Sequence, residues 1–169
     1  ANETAVCWQI AIERRRPVAI VLTRQALPIL DPEKYAIGEG VRRGAYILGE
    51  AGGKPDVILI ATGSEVHLAL EASRELAKRN IKARVVSMPS WEIFVEQSSE
   101  YHSHVLPHDV PRLSIEAGVT LGWQKFTGLD GETLGLDRFG SSAPGKVVYE
   151  RLGFSVTEVI SRALKLVRS

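Results

Sequence analysis

The stretch Pro55-Asp56-Val57-Ile58-Leu59-Ile60-Ala61-Thr62-Gly63-Ser64-Glu65-Val66 decides the fold. Lys54-Pro55-Asp56 reads as a turn into the run VILIAT, which is apolar almost throughout. A strand half-exposed to water alternates apolar and polar residues, whereas a strand covered on both faces reads as a continuous apolar run. Gly63-Ser64-Glu65 then opens a helix in which Val66, Leu68, Ala69, Leu70, Ala72 and Leu76 make a broad apolar face, with Asn80 as its expected stop. A buried strand that turns directly into an amphipathic helix is the repeating unit of a parallel or mostly parallel sheet covered on both sides.

The same alternation extends outward from this unit. On the C-terminal side, ARVVSMP (83–89) is the next buried strand. Ser90 caps a short helix begun by WEIF, and a second short helix is expected over 98–105. RLSIEAG (112–118) and ETLGLD (132–137) read as further strands, and two helices close the chain, one from about Pro144 and one over 155–167. On the N-terminal side, GAYILGEA (44–51) reads as a short strand. Before it, Pro28, Asp31-Pro32 and a polar stretch to Gly40 read as a linker, 31–40. Residues 1–30 hold a helix capped by Asn2 and running to about Arg15, then the β-branched run PVAIVLT (17–23), which reads as a buried strand. A helix and a strand with no domain around them look like the tail of a preceding domain, which leaves 41–169 as one α/β domain.

Bulk properties exclude several functions. The 169 residues suffice for one domain with a real core. Twenty-one basic and 20 acidic side chains leave a net charge of +1, too little to grip nucleic acid or an anionic membrane. The one dense basic cluster, Glu13-Arg14-Arg15-Arg16, ends a helix, where cations complement the dipole. A single cysteine, Cys7, rules out a disulfide within the chain and fits a reducing, cytoplasmic compartment; it falls on the apolar stripe of its helix, as a small core residue does. No apolar run approaches the ~20 residues needed to span a bilayer. The opening ANETAVCW lacks the basic start and apolar segment of a signal peptide.

Candidate sites stand beside plainer readings. Gly63 and Ser64 lie where a strand hands over to a helix, a place where α/β sheets gather ligands and free N–H groups attract anions. The glycine pattern there is neither GxGxxG nor GxxxxGK[ST], and Glu65 in the first turn discourages a phosphate, so a structural cap is favoured over an anion or nucleotide site. His102, His104 and His108 suggest metal ligands at first sight. Pro107 interrupts their helix and no cysteine is near, so solvent-facing histidines and no metal site are expected. Glu116 and Asp137-Arg138-Phe139-Gly140 sit at strand ends, where a carboxylate serves acid–base chemistry or anchors a loop backbone or a subunit contact. Arg24 stands at the end of PVAIVLT. Its five-donor fork suits a phosphate or carboxylate, or an ion pair to the next domain, and the sequence leaves these two open.

Six segments in this order resemble the end of a transketolase: ANETA (1–5), LTRQALP (22–28), PDVILIATGSEV (55–66), ARVVSMPSWEIF (83–94), IEAGVTLGWQKFTGLDG (115–131) and LGLDRFGSSAPGKVVYERLGF (134–154). The resemblance covers essentially the whole chain. It implies a three-layer αβα sandwich with a mostly parallel, Rossmann-like sheet over 41–169, and the last helix and strand of the pyrimidine-binding domain over 1–30. It implies a parent enzyme, a homodimer, that transfers a two-carbon ketol unit from ketose phosphates to aldose phosphates using thiamine diphosphate and Mg2+ or another divalent cation. The family's GDG motif with its following Asn, its activating glutamate and its proton-handling histidines have no counterpart here; Asp130-Gly131 stands in a different context. The chain itself is therefore expected to carry no catalytic, cofactor or metal residue and to be inactive alone, a structural and dimerisation module. One family role carries over: the Arg of the family's [LS]-[TS]-R-Q segment binds the sugar phosphate, and that position is Arg24. Ala26 stands where the family often has Asn, and Ile115 and Phe126 replace a common Val and Tyr. The alternatives are a regulatory nucleotide- or phosphate-binding module, with Gly63 and Ser64 as its place, and the end of another thiamine enzyme such as a dihydroxyacetone synthase.

Overall fold

The computed structural model describes residues 1–50 and 52–168. Its elements run α1 (Asn2–Arg14), α2 (Ile37–Arg42), β1 (Tyr46–Gly49), β2 (Val57–Ala61), α3 (Glu65–Ala77), β3 (Ala83–Ser87), α4 (Trp91–Val95), α5 (Ser99–Val105), β4 (Arg112–Ile115), α6 (Gln124–Thr127), β5 (Glu132–Leu134), α7 (Gly145–Arg151) and α8 (Val156–Arg168). The strands form one sheet in the order β1-β3-β2-β4-β5. β2 pairs in parallel with β3 and β4, and β4 with β5; only the edge strand β1 runs antiparallel, against β3.

The apolar run of β2 is explained by its two faces. Val57, Leu59 and Ala61 join a core that also holds Val66, Ala69 and Leu76 of α3 and Val159, Ile160 and Ala163 of α8. Ile58 and Ile60 point the other way, into a second core with Phe94 of α4, Val105 of α5 and Phe126 of α6. All five residues of β2 have no exposed surface. Period-2 side-chain alternation with apolar residues on both phases is the signature of a central strand between two helical layers. The expected αβα sandwich with a mostly parallel sheet is therefore what the chain forms.

Local expectations hold at several caps. Ser90 accepts the Ile93 amide and Ser98 the Tyr101 amide, so each hydroxyl satisfies a first-turn N–H that the helix cannot. Asn80 ends the α3 turn with a φ of 59°.

Three expectations are corrected. The run PVAIVLT forms no strand: Val18, Val21 and Leu22 are 47%, 95% and 58% exposed. β-branched composition does not satisfy a backbone; a strand needs a neighbour for its N–H and C=O groups, and no described strand offers this segment one. Asn2 does not cap α1. It lies inside the helix and donates its side-chain amide to the Leu30 carbonyl, 2.8 Å away. The polar stretch to Gly40 contains the start of helix α2, because Gly40 is not a breaker. A Cβ there would lie 2.2 Å from Cγ of Tyr46, so glycine is what lets the Tyr46 ring close onto the helix. The strand expected over 44–51 is formed over Tyr46–Gly49; its last residue, Ala51, lies outside the described residues.

Helix α1 is bound to the same body as the sheet. Ile10 joins the larger core, with Val6 and Cys7 packed against it. Burial first, and then the charge of Glu3, push the Cys7 thiol up, away from thiolate chemistry. Glu3 reaches in from the first turn of α1 and accepts from the Tyr46 hydroxyl at 2.9 Å and the buried Ser87 hydroxyl at 2.6 Å. The basic cluster is used structurally: Arg14 and Arg16 both pair with Glu96, and Glu13 pairs with Arg42.

Candidate functional site

The carboxyl ends of β2 and β4 lie side by side, because these strands are parallel neighbours. The turn after β2 delivers Thr62, Gly63 and Ser64, and the turn after β4 delivers Glu116 and Ala117. Gly63 takes a φ of 56° and is exposed, as the sharp handover from strand to helix requires. Ser64 does not offer its hydroxyl to a helix N–H. It donates instead to the Glu65 carboxylate at 2.7 Å, and the Tyr149 hydroxyl lies 3.3 Å from it.

Glu65 is the unexpected member. It is 4% exposed and does not serve as a solvated anion complementing the helix dipole. Burial pushes its carboxyl up, and the nearby Glu116 charge adds to this; the Ser64 hydroxyl and the Ala117 N–H work against the shift by bonding to it. Glu116 in turn accepts the indole N–H of Trp123 at 2.8 Å. Trp123 is wholly buried and sits edge-on to Trp91, with 4.9 Å between ring centroids, beside Phe126 at 6.0 Å. This end of the sheet is thus a rigid node that joins two loop ends to an aromatic cluster. Glu116 performs the anchoring named for it above. Asp137 does the same one strand further out: the Thr120 amide and hydroxyl bind it at 2.8 and 2.7 Å and hold its carboxyl below the usual range. Arg138, Phe139 and Gly140 are exposed, Phe139 to 96%.

The histidines separate. His102 meets the Phe94 carbonyl at 2.6 Å, while His104 and His108 are exposed. Among the described residues, no group of His, Cys, Asp or Glu is placed to hold a metal ion. Sequence reasoning missed Arg112. It is 8% exposed, and its guanidinium donates to the carbonyls of Leu106, Pro107 and Phe126 at 3.0, 2.9 and 2.7 Å. It satisfies three backbone carbonyls at once, and its position at the start of RLSIEAG gave no sign of that.

Arg24 is exposed and bonds to no other described residue. Its neighbours are tied down: the Thr23 hydroxyl donates to the Gln25 side-chain carbonyl at 2.9 Å, and the Gln25 amide rests on Gly145, the first residue of α7. Four residues on, the Pro28 carbonyl meets His67 of α3, whose own burial pushes the imidazole down. The guanidinium is therefore presented to solvent from a fastened loop. The ion-pair reading offered for Arg24 above has no partner among the described residues.

Residues 44–155 match the model of the transketolase-like TK C-terminal domain. The chain belongs to the transketolase family. It is 50% identical to transketolase from Bacillus subtilis over 98% of its own length and 25% of that protein's. Among solved structures, an arginine-to-leucine variant of Pichia stipitis transketolase is 39% identical and superposes with a TM-score of 0.90, over 99% of this chain and 24% of that one. Pichia stipitis transketolase in complex with sedoheptulose-7-phosphate is 37% identical with a TM-score of 0.85, over the same shares. This transketolase C-terminal domain and its N-terminal extension thus span about a quarter of the length of the relatives they match. Among the described residues, no helix is long and apolar enough to cross a membrane.

Proposed function

We propose that the chain works as the C-terminal part of a cytoplasmic, homodimeric transketolase that moves a two-carbon ketol unit from ketose phosphates to aldose phosphates. The observation that carries this reading is the likeness to whole transketolases over 98% of the chain at 50% identity. Thiamine diphosphate with its divalent metal supplies the carbanion chemistry when bound. The residues present do not fit that group: the described acidic and histidine side chains form no metal set, and the carboxylates at the sheet's end are engaged by Ser64, Trp123 and Thr120. This reading assigns the cofactor to other parts of the enzyme and no catalytic step to this chain.

Within that enzyme, Arg24 binds the phosphate of the sugar. Its support is a permanently charged fork, without a partner among the described residues, on a loop whose ends are fixed. The phosphate contact positions the donor and does not itself make or break a bond. The remaining sheet and helices give this loop its rigid seat and contribute surface to the dimer. The Gly63-Ser64 turn is a poor anion site on this geometry, since the Ser64 hydroxyl is spent on the buried Glu65 side chain.

The test has two arms. The full-length enzyme should show ketol transfer that depends on thiamine diphosphate and a divalent metal. Calorimetric titration of the 169-residue chain with thiamine diphosphate and Mg2+ should show no binding; a micromolar site on it would overturn the assignment.

A further inference from the structure

The loop bearing Arg24 raises the question of what sets its position. Residues 17–30 contain no strand or helix, so no ladder of backbone hydrogen bonds fixes them. Their polar fixed points are few: the Thr23–Gln25 side-chain bond, the Gln25 amide on Gly145, the Pro28 carbonyl at His67, and the Leu30 carbonyl at Asn2, while the Leu30 side chain packs on the larger core. Two of these four flank Arg24 directly. The bond from Thr23 to Gln25 closes a short loop with Arg24 at its apex, and Gln25 seats that loop on the start of α7.

Gly145 makes the seat. Its φ is not in the left-handed region, so its backbone conformation does not demand glycine. What it supplies is room. A Cβ at 145 would lie 2.7 Å from Nε2 of Gln25 and 3.4 Å from both Cδ and Cγ. The first distance is closer than real carbon contacts allow. Because the atom met is the end of a flexible side chain, a methyl group here displaces the Gln25 amide and leaves the helix intact.

Resting on the reading of Arg24 as the sugar-phosphate ligand, we infer that Gln25 and Gly145 are positioning residues for it. The two set where the guanidinium stands and therefore how well the enzyme distinguishes phosphorylated from unphosphorylated donors. Neither touches the substrate.

The test uses the full-length enzyme with a ketose phosphate and with hydroxypyruvate as donors, comparing Gly145→Ala, Gln25→Ala, the double variant and Arg24→Ala. Gly145→Ala should raise KM for the ketose phosphate about two- to tenfold, the ratio for loss of one ordinary hydrogen bond, here that from Thr23 to the displaced Gln25, with kcat little changed and hydroxypyruvate unaffected. Gln25→Ala should do the same. In the Gln25→Ala background, Gly145→Ala should add nothing, because the group it displaces is gone. An equal effect on both donors, or a Gly145→Ala effect that persists without Gln25, overturns the inference and makes Gly145 a structural residue of α7. A donor-selective Arg24→Ala beside a silent Gly145→Ala overturns the inference alone. An Arg24→Ala that does not distinguish the donors overturns the phosphate reading and the inference with it.

Discussion

Replacing Trp123 by alanine probes the node at the carboxyl end of the sheet. The side chain is wholly buried, packs against Trp91 and Phe126, and donates its indole N–H to Glu116 at 2.8 Å. Truncating a buried aromatic to alanine costs about 3–5 kcal/mol through lost transfer energy and the cavity left behind. Losing a hydrogen bond to a charged acceptor costs about 1.5–3 kcal/mol. Glu116 is half-buried and recovers part of the second cost from water, so the total should be about 4–6 kcal/mol, a large share of a typical domain's stability. Trp123→Phe keeps most of the packing and loses the bond, and should cost about 1–3 kcal/mol. Urea unfolding followed by far-UV circular dichroism reads both. At about 2 kcal/mol per molar urea, the midpoint should fall by about 2–3 M for alanine and by up to about 1.5 M for phenylalanine. An alanine shift below about 0.5 M would show that the node is not a structural centre.

Glu65→Gln tests the buried acid. The folded-state pKa of Glu65 is raised above its ordinary value of 4.5, so its contribution to stability is full below that pH and is lost as pH rises through the folded value. The wild type should therefore lose more stability than Glu65→Gln as pH rises above the ordinary carboxyl value of 4.5, and parallel curves from urea titrations at each pH would contradict this. Gly40→Ala should destabilise by about 1–3 kcal/mol, since its Cβ meets the Tyr46 ring at 2.2 Å; a thermal midpoint equal to wild type would show that the ring moves freely aside.

Much of the fold was legible because β2, β3 and β4 are buried on both faces, and burial on both faces writes an apolar run into the sequence. Ser90 and Ser98 were legible because capping is local. The failures share a cause in contacts from distant residues. The stretch to Gly40 looks like a linker until Tyr46 is known to pack on Gly40. PVAIVLT has a strand's composition, yet no described strand is at hand to hold it. Glu65 looked like a first-turn anion because nothing local says that the Ala117 amide and Glu116 would close over it. The use of Glu116 by Trp123 was likewise hidden, since a tryptophan seven residues on carries no pattern of its own. Arg24 was legible as a candidate from its place after an apolar run, while the lack of an ion-pair partner among the described residues emerged only in three dimensions.

Under the proposed function, this chain contributes a phosphate-binding arginine, and no catalytic group, to a ketol-transferring enzyme. The most direct measurement is the kinetics of Arg24→Ala in the full-length enzyme with two donors, one phosphorylated and one not. Loss of charged hydrogen bonds to phosphate should raise KM for the ketose phosphate about ten- to hundredfold while leaving hydroxypyruvate within about twofold. An equal loss with both donors, or no loss with either, would contradict the account.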